Sequence, residues 1–307
     1  MIKKSKFIKI IALVLVLVLS IGILSACGSN SGDTIKVGSK EFTEQLLLGK
    51  ITVLALKDAG FKVEDKTGVA GSDKVRLALE NGDFDLYWEY TGTAWLSQLQ
   101  NEEPITDSQE AYEKVRDADE ENGFIWLQYA TLNNTYTLMM RREHSEDLGI
   151  KTISDLAEYI NENPGELLSA IDHEFSVRPD GYPGVQAHYG FNQSDDEIKI
   201  MDLGIMYKTL RENQVDVAMG FATDGRIAAF DLVNLEDDKY FFPVYNAAPV
   251  VRKDALEKHP EIKEILEKIS PLLDSETMTK LNYEVDINER EPDDVAEEWL
   301  KSAGLID

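Results

Sequence analysis

The sequence is short of cysteine and of positive charge. A single cysteine, Cys27, stands in 307 residues, which excludes a disulfide framework and any cysteine-rich metal centre. Basic side chains number 31 against 57 acidic ones, a formal charge of −26. A surface of that sign repels phosphate backbones, so no nucleic-acid partner is expected. The four histidines, His144, His173, His188 and His259, are scattered, form no HExxH string and have no acidic partner at metal-ligand spacing, which leaves no basis for a zinc or hydrolase centre. No GxSxG elbow, GxGxxG turn or GxxxxGK[ST] loop occurs, and nucleophilic catalysis and nucleotide binding lose their usual markers. Acidic runs such as residues 117–121 and Glu236-Asp-Asp238 lack EF-hand spacing and its glycine; they read as solvated faces. Neither a metal nor a cofactor is expected.

Long apolar runs are scarce too: there is one, at the amino terminus. Lys3, Lys4, Lys6 and Lys9 form a basic segment, Ile10 to Leu19 an unbroken apolar one, and no acidic residue precedes Asp33. The run is shorter than the ~20 residues that span a bilayer, and with its basic flank it reads as a signal peptide over residues 1–26. The string Leu24-Ser25-Ala26-Cys27 resembles a bacterial lipobox, which implies that Cys27 is diacylated on sulfur and becomes the mature amino terminus. Residues 27–33 then form a flexible tether, and the body beyond is expected at the outer face of the cytoplasmic membrane, held there by lipid. With the four leader lysines set aside, 27 basic side chains remain against 57 acidic ones. At about 150 residues per domain, the body is one large domain or two lobes.

Within that body β-type and helical patterns alternate: Ile35 to Gly38, a helix from Thr43 to about Ala59, Phe61 to Val63, a helix from Ser72 to Glu80, and Phe84 to Tyr90. Such alternation predicts an α/β body with a mainly parallel sheet. Thr43 and Ser72 are placed to cap helices, while Gly60 and Gly82 suit the left-handed exit position. A helix from about Asp107 to Glu121, a strand Phe124 to Tyr129 and a strand Thr135 to Met140 follow. From Ser154 a second set begins: a helix to Asn161, strands near Leu168 to Ile171 and Ile198 to Asp202, a helix Met206 to Asn213, and a strand Val215 to Met219. After a strand-like crossing, Tyr240 to Val251, the tail is helical at Ile262 to Ile269, Ser275 to Glu284 and Asp293 to Ser302. The architecture repeats although the sequence does not. The expected arrangement is two lobes joined by two crossings, residues 34–137 with 242–307 in one and 138–241 in the other.

What the chain does have is aromatic residues at the junctions of strands and loops. Tyr90 ends the strand Phe84 to Tyr90, and Thr91-Gly-Thr93 reads as the turn into a helix beginning near Ala94. Ligands of open α/β sheets lie beyond the carboxyl ends of strands, where Tyr90 and Thr93 stand. A helix amino terminus there offers amides suited to a carboxylate. Tyr136 lies on the first crossing, Tyr245 on the second, and Phe221 just after the strand Val215 to Met219. All four rings are candidates for one cleft.

The segments Gly38-Ser-Lys-Glu-Phe-Thr-Glu-Gln45, Glu89-Tyr-Thr-Gly-Thr93, Asn134-Thr-Tyr136, Gly220-Phe-Ala-Thr-Asp-Gly225 and Leu235-Glu-Asp-Asp238 running on to Tyr245-Asn-Ala-Ala-Pro-Val250 carry a resemblance to a known family. Over essentially the whole mature chain they are similar to the quaternary-amine binding proteins of osmoprotectant ABC importers, which take up glycine betaine, carnitine, choline or proline betaine. The resemblance implies a two-lobe class II periplasmic-binding-protein fold and a ligand held between the lobes by aromatic rings. It also implies a membrane permease with its ATPase as partners, a monomer, and no enzyme. Carried over position by position, the cage is Tyr90, Tyr136, Phe221 and Tyr245. The family commonly has tyrosine where this chain has Phe221, so one hydroxyl is missing, and threonine at Thr93 leans toward betaine-type ligands.

The chemistry agrees with that implication. A trimethylammonium group has no N–H to donate and an apolar skin, and the negative faces of aromatic rings attract it at about 2 kcal/mol for each desolvated contact. On this reading no formal counter-ion is required. The carboxylate of a betaine needs donors, for which Thr93, Gln45 and local amides are the candidates, with Lys40 a weaker one that reads mainly as a solvated side chain. Asp224 reads as structural. Two other readings are kept. A binding protein for an amino acid needs a paired acid and arginine for the head group, with an arginine such as Arg178 or Arg226 facing the cleft, and an extracellular enzyme needs a carboxylate pair, Asp83 with Asp85 or Glu89 with Asp224.

Overall fold

The computed structural model describes residues 34–178 and 180–307; the expected signal peptide, Cys27 and the expected tether lie outside them. Among the described residues ten strands form two five-stranded sheets. In chain order the strands are β1 (Ile35–Lys40), β2 (Val63–Val69), β3 (Leu86–Tyr90), β4 (Phe124–Trp126), β5 (Tyr136–Arg141), β6 (Ser169–Ile171), β7 (Ile198–Ile200), β8 (Val217–Phe221), β9 (Leu232–Asn234) and β10 (Ala247–Arg252). The first sheet has the order β2-β1-β3-β10-β4 and the second β7-β6-β8-β5-β9. The two orders are the same once β6, β7 and β8 are matched to β1, β2 and β3. In each sheet the fourth strand, β10 or β5, arrives from the other lobe, which is the class II pattern of two crossings.

The sheets are mixed rather than mainly parallel. β1 pairs in parallel with β2 and β3, whereas β10 runs antiparallel to β3 and β4. The second sheet repeats this, with β5 antiparallel to β8 and β9. The cause is the crossing itself: a strand entering from the opposite lobe comes from the far end of the sheet and runs against the resident strands. Tyr136 and Thr137 already pair with Phe221 and Gly220 of the second sheet, so the first crossing precedes Tyr136.

The helices follow from burial of one face and from local chemistry. Thr43–Asp58 buries Leu47, Leu48, Ile51 and Leu56 under β1 and β3, and Pro292–Ser302 packs on its other side. Thr43 and Ser72 are not caps: they open their helices behind Phe42 and Gly71, which offer no side-chain cap. The Thr43 hydroxyl instead donates to Asp286 Oδ1 at 2.6 Å. Gly82, at φ 76°, does end its helix in the left-handed region. The helix expected near Ala94 begins directly at Thr91, with Tyr90 as its cap, and widens to a π turn at Ala94–Gln98. Among the described residues no helix is long and apolar enough to cross a membrane.

Candidate functional site

Strand register brings the aromatic residues together. Tyr90 ends β3 opposite Ala247 of β10, and Tyr245 stands two residues before that strand. In the other lobe Tyr136 opens β5 directly opposite Phe221, the last residue of β8. All four rings, with Thr93, line one cleft, together with Lys40, Phe42, Asn134, Asp172 and Glu174. The Tyr136 centroid is 5.3 Å from Tyr245, edge-on at 88°, and 5.3 Å from Phe221 at 38°. Phe175 backs Tyr136 at 4.8 Å.

A fifth ring completes the group. Phe42 stacks on Phe221 at 5.1 Å and faces Tyr90 at 6.3 Å, interplanar 20° and 17°. Sequence reasoning missed it, although it lies in the segment Gly38 to Gln45 and just past the carboxyl end of β1, the position that singled out Tyr90.

The floor is polar. The Tyr90 hydroxyl donates to Glu44 Oε1 at 2.7 Å; Glu44 Oε2 accepts from Thr223 Oγ1 at 2.5 Å and Asn282 Nδ2 at 3.3 Å. Burial pushes the Glu44 carboxyl above its ordinary value, against the pull of these donors. Tyr245 donates to Asp180 Oδ2 across the lobes, and Arg178 clamps Asp180 through Nε at 2.8 Å and Nη2 at 2.6 Å. Burial holds Tyr90, Tyr136 and Tyr245 well above the usual phenol range, so their hydroxyls stay neutral donors. Asp172, which caps Phe175 N at 2.8 Å, is pushed up to about 6 by burial, with Glu174 and Glu41 adding repulsion.

Two candidate residues are placed otherwise than expected. Gln45 does not line the cleft; it is fully buried, and its Oε1 accepts from Lys40 N at 3.4 Å. The reason is helix geometry: two residues past Thr43, it lies on the face turned under β1. Lys40 is not solvated: it is 3% exposed, and its Nζ donates to Glu89 Oε1 at 2.6 Å while lying 5.2 Å from the Tyr90 ring centroid. Several groups that the rival readings name already have partners, although Arg178 also lies 5.5 Å over the Tyr136 ring. Arg226 binds Asp224 at 2.5 Å, Arg178 binds Asp180 and Glu174, and Asp85 accepts from Lys36 N at 2.7 Å. Among the described residues no cluster of three His, Cys, Asp or Glu is placed to hold a metal ion.

The model of the OpuAC family, described as the substrate binding domain of ABC-type glycine betaine transport systems, matches residues 33–302. The chain belongs to that family. The chain is similar to a glycine-betaine-binding protein of Pseudomonas aeruginosa, 40% identical over 289 residues and covering 92% of each chain. The carnitine transport binding protein OpuCC of Listeria monocytogenes is 35% identical and covers 97% of each chain. Among solved structures, one titled as a glycine betaine/carnitine/choline ABC transporter superposes with a TM-score of 0.72 at 31% identity, covering 89% of this chain and all of the other. As an OpuAC-family member the chain is a substrate-binding component of an ABC importer that acts outside the cytoplasm, and it is not an enzyme.

Proposed function

We propose that this chain captures a quaternary ammonium osmoprotectant, of the glycine betaine, carnitine, choline or proline betaine type, in a cage of Tyr90, Tyr136, Phe221 and Tyr245, and hands it to a membrane permease with its ATPase. Thr93 serves the carboxylate of betaine-type ligands. Cys27 carries the lipid that anchors the protein, as a monomer, to the outer face of the cytoplasmic membrane. The observation that carries this reading is the convergence of rings from both sheets on one cleft, Tyr136 lying 5.3 Å from both Tyr245 and Phe221. Ring faces suit a cation that has an apolar skin and no N–H, and three or four desolvated contacts at about 2 kcal/mol each offset the cost of closing the lobes. Because the rings come from both lobes, the ligand favours the closed form by its differential contacts.

Titration calorimetry on the body from Gly28, without Cys27, tests this against glycine betaine, carnitine, choline, proline and histidine. Saturable binding of the quaternary amines with none of proline or histidine is expected. Binding of histidine or proline alone would transfer the site to an amino acid.

A further inference from the structure

We infer that Glu44 is the counter-ion of the bound quaternary ammonium group: a buried carboxylate accepts from the Tyr90 hydroxyl and has no ion-pair partner among the described residues, Lys40 over the same ring being paired with Glu89, and the ligand supplies that cation. The inference rests on the quaternary ammonium reading above, and it revises the expectation that the cage needs no formal charge.

Five carboxylates are buried among the described residues, Glu44, Glu89, Asp119, Asp180 and Asp224. Four are paired with a basic side chain: Glu89 with Lys40 at 2.6 Å, Asp119 with Arg76 at 2.6 Å, Asp180 with Arg178 at 2.6 Å and Asp224 with Arg226 at 2.5 Å. Glu44, 2% exposed, is held only by neutral donors, the hydroxyls of Tyr90 and Thr223 and the amide of Asn282. An unpaired charge in such a place is costly, and proteins normally pair it or neutralise it. Glu44 is not among the residues that line the cleft and meets it through Tyr90. The Tyr90 hydroxyl donates to Glu44, which adds electron density to the ring face that a cation meets.

The arrangement also ties the ligand's charge to lobe closure. Glu44 and Asn282 belong to the first lobe, whereas Thr223 follows β8 in the second. The carboxylate thus gains its Thr223 partner only when the lobes meet, the state in which the cage is complete. Charged residues that flank its partners are committed elsewhere: Glu89 beside Tyr90 to Lys40, Asp224 beside Thr223 to Arg226, and Asp286, one turn beyond Asn282, to Thr43 and, at 3.7 Å, Arg226.

The test separates charge from shape by using glycine betaine and its uncharged-head isostere 3,3-dimethylbutanoate, titrated into the full chain in a non-ionic detergent. Glu44→Gln is expected to weaken glycine betaine about tenfold while leaving the isostere unchanged or tighter. Equal weakening of both, or of neither, overturns the inference and leaves the ligand class standing. Should Glu44→Gln fail to fold, pH decides. Asp172 lines the same cleft and titrates near 6, so this arm uses Asp172→Asn, in which asparagine keeps the helix cap. Its affinity for glycine betaine should fall as the pH is lowered and Glu44, raised by burial, takes up a proton; an affinity that does not change with pH overturns the inference. Wild type that binds no quaternary amine at all overturns the ligand reading and this inference with it.

Discussion

Tyr90 serves two neighbours at once, its ring turned to Phe42 and the cleft and its hydroxyl to Glu44. Under the proposed cage, Tyr90→Ala and Tyr136→Ala each weaken binding at least about tenfold, since a desolvated cation–ring contact is of that order. The phenylalanine variants differ from each other. Both keep a ring and lose less affinity, but Tyr90→Phe also removes a donor from the buried Glu44, which costs about 1–3 kcal/mol of stability. Among the described residues no buried acceptor depends on the Tyr136 hydroxyl, so chemical denaturation should find Tyr136→Phe near wild type. Lys40 gives a second prediction. Lys40→Met leaves Glu89 charged and unpaired in a fully buried position, and breaking such a pair costs about 3–5 kcal/mol, visible as a large loss in denaturation midpoint. The sequence does not disclose this lysine's role, because its partner is 49 residues away and only the pairing of β1 with β3 brings the two together. The rings were legible for the opposite reason: Tyr90, Tyr136 and Phe221 stand at strand ends and Tyr245 on the crossing just before β10, positions that can be counted along the chain.

At the scale of elements, legibility followed hydrophobic pattern and failed where pattern was absent. β1, β3 and β8 bury nearly every residue and are apolar enough to be read within two residues. β2 was placed at Phe61 to Val63 but runs Val63–Val69, with the polar sequence Val-Glu-Asp-Lys-Thr-Gly-Val at the sheet edge; one solvated edge leaves no alternation to read. The helix Tyr182–Tyr189 went unread because Pro183 and Gly184 break its periodicity, and His173–Val177, joined to it through Gly181, because five residues are too few to show one. That junction also holds Arg178 and Asp180 against Tyr245. A Cβ at Gly181 would lie 2.0 Å from the backbone oxygen of Phe175, whereas one at Gly204, on the helix Leu203–Arg211, would meet nothing within 4 Å. Gly181→Ala should therefore displace the Arg178–Asp180 clamp and lower both melting temperature and ligand affinity. Gly204→Ala should be neutral or stabilising by up to about 1 kcal/mol. Equal melting temperatures for the two variants would remove the clamp's structural role.

At the scale of the whole molecule, closure balances a few contacts against like charge. The lobes are joined by Thr223 on Glu44, by Tyr245 on Asp180, by Ser72 N on Glu174 Oε2 at 3.1 Å, and by the Phe42–Phe221 stack at 5.1 Å. Against them, Asp172 and Glu174 of the second lobe face Glu41 of the first. Burial pushes Glu174 up, but Lys40 and Arg178 more than offset it and hold it below its ordinary value. Asp172 has no such help and rises from 3.8 to about 6. In an open form, where water reaches Asp172, its carboxyl returns toward 3.8. Closure thus takes up a proton between those two values, so acidification favours the closed form, and that advantage disappears as pH rises past 6. Small-angle X-ray scattering of the ligand-free body should record a smaller radius of gyration at pH 5 than at pH 7.5. Asp172→Asn should be as compact at pH 7.5 as wild type is at pH 5, because it carries the neutral state permanently. The same linkage makes this variant more stable than wild type to denaturant at pH 7.5 and equal to it below pH 4. A wild-type radius that does not change between pH 5 and 7.5 would mean that Asp172 meets the same surroundings in the open and closed forms, and that the repulsion across the cleft does not set their balance.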